Sequence, residues 1–92
     1  MLVPVRSTEV TADAIVSAVP GALCAVLLTG GSDAATIILY DNASAASGTI
    51  LATLKAAANV TVSFCPANPL AVSKGIYADI TGTVMSAYVS FF

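Results

Sequence analysis

The chain contains no histidine and no tryptophan, and only three basic and five acidic residues among its 92. Without histidine there is no side chain that titrates near neutrality in its ordinary state, and nothing to activate a cysteine or serine nucleophile. Two cysteines with no histidine cannot supply the four ligands of a structural zinc site. Three basic residues and a net charge of −2 exclude a surface that neutralises a run of backbone phosphates, so nucleic acid is not an expected partner. The hydrophobic content of 58% excludes disorder. At this length one domain is expected, with no second domain and no long repeat or linker.

Charge is so sparse that residues 14–32 carry none, a length close to that of a membrane-spanning helix. Pro20-Gly21 interrupts that stretch, Gly30-Gly31-Ser32-Asp33 ends it, and its β-branched residues favour strands, so no membrane association is expected. The amino terminus, Met1-Leu2-Val3-Pro4-Val5-Arg6, has no basic region ahead of an apolar core and does not read as a signal peptide. Synthesis in a reducing cytoplasm then makes Cys24 and Cys65, each within an apolar run, free buried thiols in expectation. The sequons at Asn42 and Asn59 read as turns, where asparagine is locally favoured.

What the chain does have is a succession of short runs rich in Val, Ile, Thr, Tyr and Phe, punctuated by Gly, Pro, Asn, Asp and Ser. That pattern predicts an all-β fold, a small antiparallel β-sandwich or jelly-roll-like barrel of roughly seven or eight strands. Residues 11–92 form the sandwich and residues 1–10 an extended N-terminal arm. Val60-Thr61-Val62-Ser63-Phe64 alternates strictly, as does Ile76-Tyr77-Ala78-Asp79-Ile80. Thr81-Gly82-Thr83 predicts a hairpin to a final strand with Met85, Ala87, Val89 and Phe91 on one face and Ser86, Tyr88 and Ser90 on the other. Residues 22–28 and 35–40 are more continuously apolar, with Gly30-Gly31-Ser32-Asp33 as the hairpin loop between them. A further strand is expected over residues 48–54, and residues 55–58 are expected to form a loop. The expected core contains Val60, Val62, Phe64, Ile76, Ile80, Val89 and Phe91.

Soluble domains carry about a quarter of their residues as charges, and this chain has 9%. Its surface must therefore be finished with Ser, Thr, Ala and exposed apolar side chains. Burying a further ~400 Å² of apolar area is worth roughly 10 kcal/mol before the costs of association. Self-association or docking on a larger structure is the expected working state. Candidate interface residues are Arg6, Tyr40, Tyr77 and Tyr88. No catalytic, cofactor-binding or metal site is expected. The one carboxylate set to consider, Asp13, Asp33, Asp41 and Asp79 as a pair or calcium site, lies among Gly and Asn and reads as turn chemistry.

The Ala/Gly/Ser/Thr-rich segments Gly30-Gly31-Ser32-Asp33-Ala34-Ala35-Thr36-Ile37-Ile38-Leu39-Tyr40-Asp41-Asn42 and Lys74-Gly75-Ile76-Tyr77-Ala78-Asp79-Ile80-Thr81-Gly82-Thr83, followed by an alternating final strand, resemble the small virion proteins of tailed bacteriophages. The likeness spans residues 30–92 and is one of structural style rather than of a catalytic signature. It implies a non-enzymatic virion protein, a capsid decoration or cement protein bound in many copies to the major capsid protein or another virion protein, and assembled in the host cytoplasm. The alternative it leaves is a tail, neck or host-contact adaptor, in which the tyrosines would form the contact. No site residue is implied by the resemblance.

Overall fold

The computed structural model describes residues 6–92, with side chains from Ser7 onward. Met1 to Val5 of the expected arm lie outside the described residues. Seven strands form one antiparallel sheet and no helix occurs among the described residues: β1 (Arg6–Glu9), β2 (Ala14–Ser17), β3 (Gly21–Asp41), β4 (Ile50–Ala56), β5 (Thr61–Phe64), β6 (Leu70–Val72) and β7 (Ile76–Phe91). Hence no helix here is long and apolar enough to cross a membrane.

Two long strands organise everything else. β3 and β7 pair along both their lengths, Leu23 opposite Phe91 at one end and Asp41 opposite Ile76 at the other. Shorter strands flank them in two groups. At one end β2 lies along β7 and β4 along β3; at the other β1 lies along β7, and β5 and β6 along β3. We call these ends the β4 layer and the β5 layer.

The layers are folded over one another. Twenty-one residues of straight strand would span about 70 Å, yet the longest extent of the molecule is 39 Å. A single flat sheet also leaves its faces wet, whereas Leu23, Leu28, Ile37, Leu39, Ala78, Ala87 and Val89 are wholly buried. Both layers contribute to one cluster, Leu23, Val26, Leu28, Val89 and Phe91 from one side and Ile37, Leu39, Leu54, Ile76 and Ala78 from the other. The protein is thus the small all-β antiparallel sandwich expected from its alternating runs.

The fold line is where the glycine-rich links sit, and neither link is a hairpin. Residues 30–34 lie inside β3, and Thr81-Gly82-Thr83 inside β7, each at a shift of register where the strand bends instead of reversing. Gly82 adopts φ +85°, and a Cβ there would run into the Ala34 carbonyl across the bend. Such turn residues give a bulge the same left-handed freedom they give a hairpin, so local chemistry does not distinguish the two. The flanking strands cross the same line by changing strand: β4 leads to β5 through a turn at Asn59, φ 59°, held by Gly30 N donating to Val60 O at 3.0 Å.

This bend accounts for three departures from simple alternation. Val60, expected in the core, is 44% exposed because it belongs to the turn. Met85, expected on the same face as Ala87 and Val89, is 60% exposed while they are buried, because it falls at the shift between the Thr29–Ser86 and Gly30–Val84 pairs. Lys55 and Ala56 extend β4 rather than forming a loop, with Ala56 buried opposite Ala35. Of the remaining expected core, Ile76, Val89 and Phe91 are buried, and Val62, Phe64 and Ile80 pack against the cluster. Arg6–Glu9 is extended, as an arm would be, but lies in the sheet along β7, and Val10 behind it is buried.

Candidate interaction surface

Because side chains alternate across a strand, the register of the β4 layer decides what its outer face presents. Ile15 of β2 is opposite Tyr77 of β7, Tyr77 opposite Tyr40 of β3, and Tyr40 opposite Ile50 of β4. Four strands therefore carry one row, Ile15–Tyr77–Tyr40–Ile50, across the outside of the sheet. Its two ends are open, Ile15 51% and Ile50 53% exposed, and its tyrosines are half-buried by their neighbours. Facing aromatic pairs on adjacent strands contribute about 0.2–1 kcal/mol each to the sheet. An aromatic row with a polar tip on each ring is also the composition that interfaces enrich.

Charge on this face is slight. Asp79 shares the next row with Ile38 and Thr53, and Lys55 lies beyond, opposite Thr36.

The outer face of the β5 layer is different in kind. Ser7 of β1 and Ser90 of β7 share a hydrogen bond at 3.0 Å, and Thr29 of β3 and Thr61 of β5 another at 2.8 Å. Tyr88 lies here, between Glu9 and Leu27 in the register and 41% exposed. The structure thus brings Tyr40 and Tyr77 together and leaves Tyr88 on the other layer. Arg6 also lies on the β5 layer, paired with Phe91 through its backbone, and its side chain falls outside the described residues. Sequence reasoning missed Ile15 and Ile50. Both stand in short runs that look like core strands, and only the register shows that they face outward.

Two of the aspartates, Asp41 and Asp13, accept hydrogen bonds from the backbone. Both Asp41 carboxylate oxygens accept from Ser73 N at 3.1 Å, and Oδ1 also accepts from Lys74 N at 2.9 Å. These amide bonds, first that from Lys74, outweigh the cost of desolvation and hold the Asp41 carboxyl below its ordinary range. Asp13 Oδ1 accepts from Ile80 N at 2.7 Å on the flank of β7. Asn42 closes the following loop, its Oδ1 accepting from Ser44 N and Ala45 N at 2.8 and 2.9 Å. Among the described residues no three His, Cys, Asp or Glu side chains gather as a metal site would require. Cys24 and Cys65 are free thiols, but the expectation that both are buried fails: Cys24 is half-buried and Cys65 exposed.

Compared with protein-family models, with curated proteins and with solved structures, the chain gives no match in any of the three.

Proposed function

We propose that this protein is a non-enzymatic structural component of a virion, a decoration or cement protein held in many copies on the outside of a capsid, and that the outer face of its β4 layer is the surface covered there. The observation that carries the reading is the row Ile15–Tyr77–Tyr40–Ile50, an apolar and aromatic stripe crossing four strands on a face with little charge to solvate it. The resemblance of residues 30–92 to small phage virion proteins supplies the kind of partner, a major capsid protein or another virion protein, together with further copies of the chain. A chain with 9% charged residues gains more from being covered than from remaining alone in solution.

The test is quantitative mass spectrometry of particles released from cells that carry the gene. Presence on heads at a copy number that follows the symmetry of the shell is expected. Absence from particles overturns the reading. A small ring-like copy number on tails or necks replaces it with the adaptor reading, which the same exposed row would serve.

A further inference from the structure

The bend that shapes β3 has a smaller companion near the start of that strand. Leu23 and Val26 are both buried, opposite Phe91 and Val89, and the register slips by one residue between Leu23 and Ala25. Regular alternation cannot place residues three apart on one face, so the bulge turns Cys24 outward together with Ala25. On the neighbouring strand the last pair is Phe64 opposite Val26, and Cys65 follows directly as β5 ends, exposed and next in line toward Ala25. The only two cysteines of the chain therefore face outward on adjacent segments, one residue out of step. Directly opposed residues of an antiparallel pair lie about 4.5–5.5 Å apart between Cα atoms, and an offset of one residue, about 3.3 Å along the strand, makes that about 6 Å, within the roughly 4.4–6.8 Å that a disulfide bridges. Without the bulge Cys24 would point into the core, out of reach of Cys65.

We infer that Cys24 and Cys65 form a reversible intramolecular disulfide when the protein meets a low-molecular-weight disulfide, and that the bond staples the short β5–β6 flank to β3. The thiolate of the exposed Cys65 attacks one sulfur of the oxidant, whose S–S bond breaks and releases one thiolate. The Cys24 thiolate then attacks the Cys65 sulfur of the mixed disulfide, releasing the second. Two protein thiols are oxidised, one small disulfide is reduced to two small thiols, and the two cysteine protons end on those thiols. The thiols sense each other even when reduced: burial first, and then the nearby Cys65, push the Cys24 thiol above its ordinary range. That makes Cys24 the resolving partner rather than the first attacker. The bond closes a loop of about 40 residues, so it constrains mainly the unfolded chain.

Oxidised glutathione, added to the reduced purified protein, is the probe. The expected product is a monomer that has lost two hydrogens in intact mass, retains no alkylatable thiol, and melts higher than the reduced form by roughly 10 °C or more. Cys24→Ser should stop at a stable glutathione adduct on Cys65, since nothing resolves it. Wild-type protein that accumulates that adduct, that links to a second chain through Cys65, or that stays fully reduced would overturn the inference. The wild-type mass alone decides, so a variant that failed to fold would not rescue it.

Discussion

The two outer faces of this sandwich are built on the same two strands and yet are finished differently. On the β5 layer, hydroxyls are paired across strands, Ser7 with Ser90 and Thr29 with Thr61, and satisfy each other at the surface. On the β4 layer, the corresponding positions hold Ile15, Tyr77, Tyr40 and Ile50, which have no such way to finish themselves. The hydroxyl-paired face also exposes Tyr88 and Leu27 side by side, at 41% and 40%, so the two faces differ in that the β4 layer's apolar row runs unbroken across four strands. On the function proposed above, the unbroken row is the side that is covered in the assembly.

The largest effect should come from breaking the row. In an assembled particle, Tyr40→Ser with Tyr77→Ser should lower occupancy by about thirtyfold or more, the scale of losing a central aromatic anchor, while the isolated domain keeps its fold by circular dichroism. Tyr88→Ser, on the hydroxyl-paired layer, should leave occupancy within a few-fold. Equal losses from both would remove the distinction between the faces.

Next in size is the bend that separates them. Gly82→Ala places a side chain at φ +85° and against the Ala34 carbonyl, which should cost about 3 kcal/mol. Denaturant unfolding should show this as a single transition with a lower midpoint, since both layers share one core. Two transitions would mean that the layers are independent units.

The same bend explains what could and could not be read in the residues. Period-two alternation around Val62, Phe64, Ile76, Val89 and Phe91 was legible because one face of each strand is core and the rule is local. The Gly30-Gly31 and Gly82 signals were legible as departures from straight strand but not as bends, because a bulge and a hairpin need the same backbone freedom. The tyrosines could be named as contact candidates from composition. That Tyr40 and Tyr77 meet while Tyr88 does not, and that Ile15 and Ile50 extend their row, depends on register between segments distant in sequence. No local pattern carries that.

A smaller effect sharpens the comparison from the hydroxyl side. Thr29→Val removes one partner of the Thr29–Thr61 pair, and should cost no more than about 1 kcal/mol, with no change in assembly. Asp41, at the loop end of the β4 layer, should give a comparably modest pH dependence. Its carboxyl is held below the ordinary range in the folded state, so its contribution is fully present above the unfolded value of about 3.9 and is lost as pH falls through the lower folded value. Urea midpoints across that acid window should therefore fall less in Asp41→Asn than in the parent protein. An identical acid slope in both would show that the Ser73 and Lys74 amide bonds contribute nothing to folding.

The smallest effect expected is that of salt, and its smallness is the point. Screening over a Debye length of about 8 Å near physiological ionic strength weakens exposed ion pairs, but the row Ile15–Tyr77–Tyr40–Ile50 contains none to weaken. Asp79 and Lys55 are the charges placed on strands of the same face, one of each sign, so no strong field of one sign is there to screen. Raising salt from low to molar should leave occupancy on particles unchanged or higher, because excluded salts strengthen apolar burial, whereas cooling should lower it, because apolar burial weakens in the cold. Release by moderate salt at constant temperature would move the contact to the other layer, where Glu9 and Arg6 lie on β1 beside the Tyr88 strand. In that case the hydroxyl-paired face would be the one that docks, and the aromatic row would serve only to hold the four strands of its own layer together.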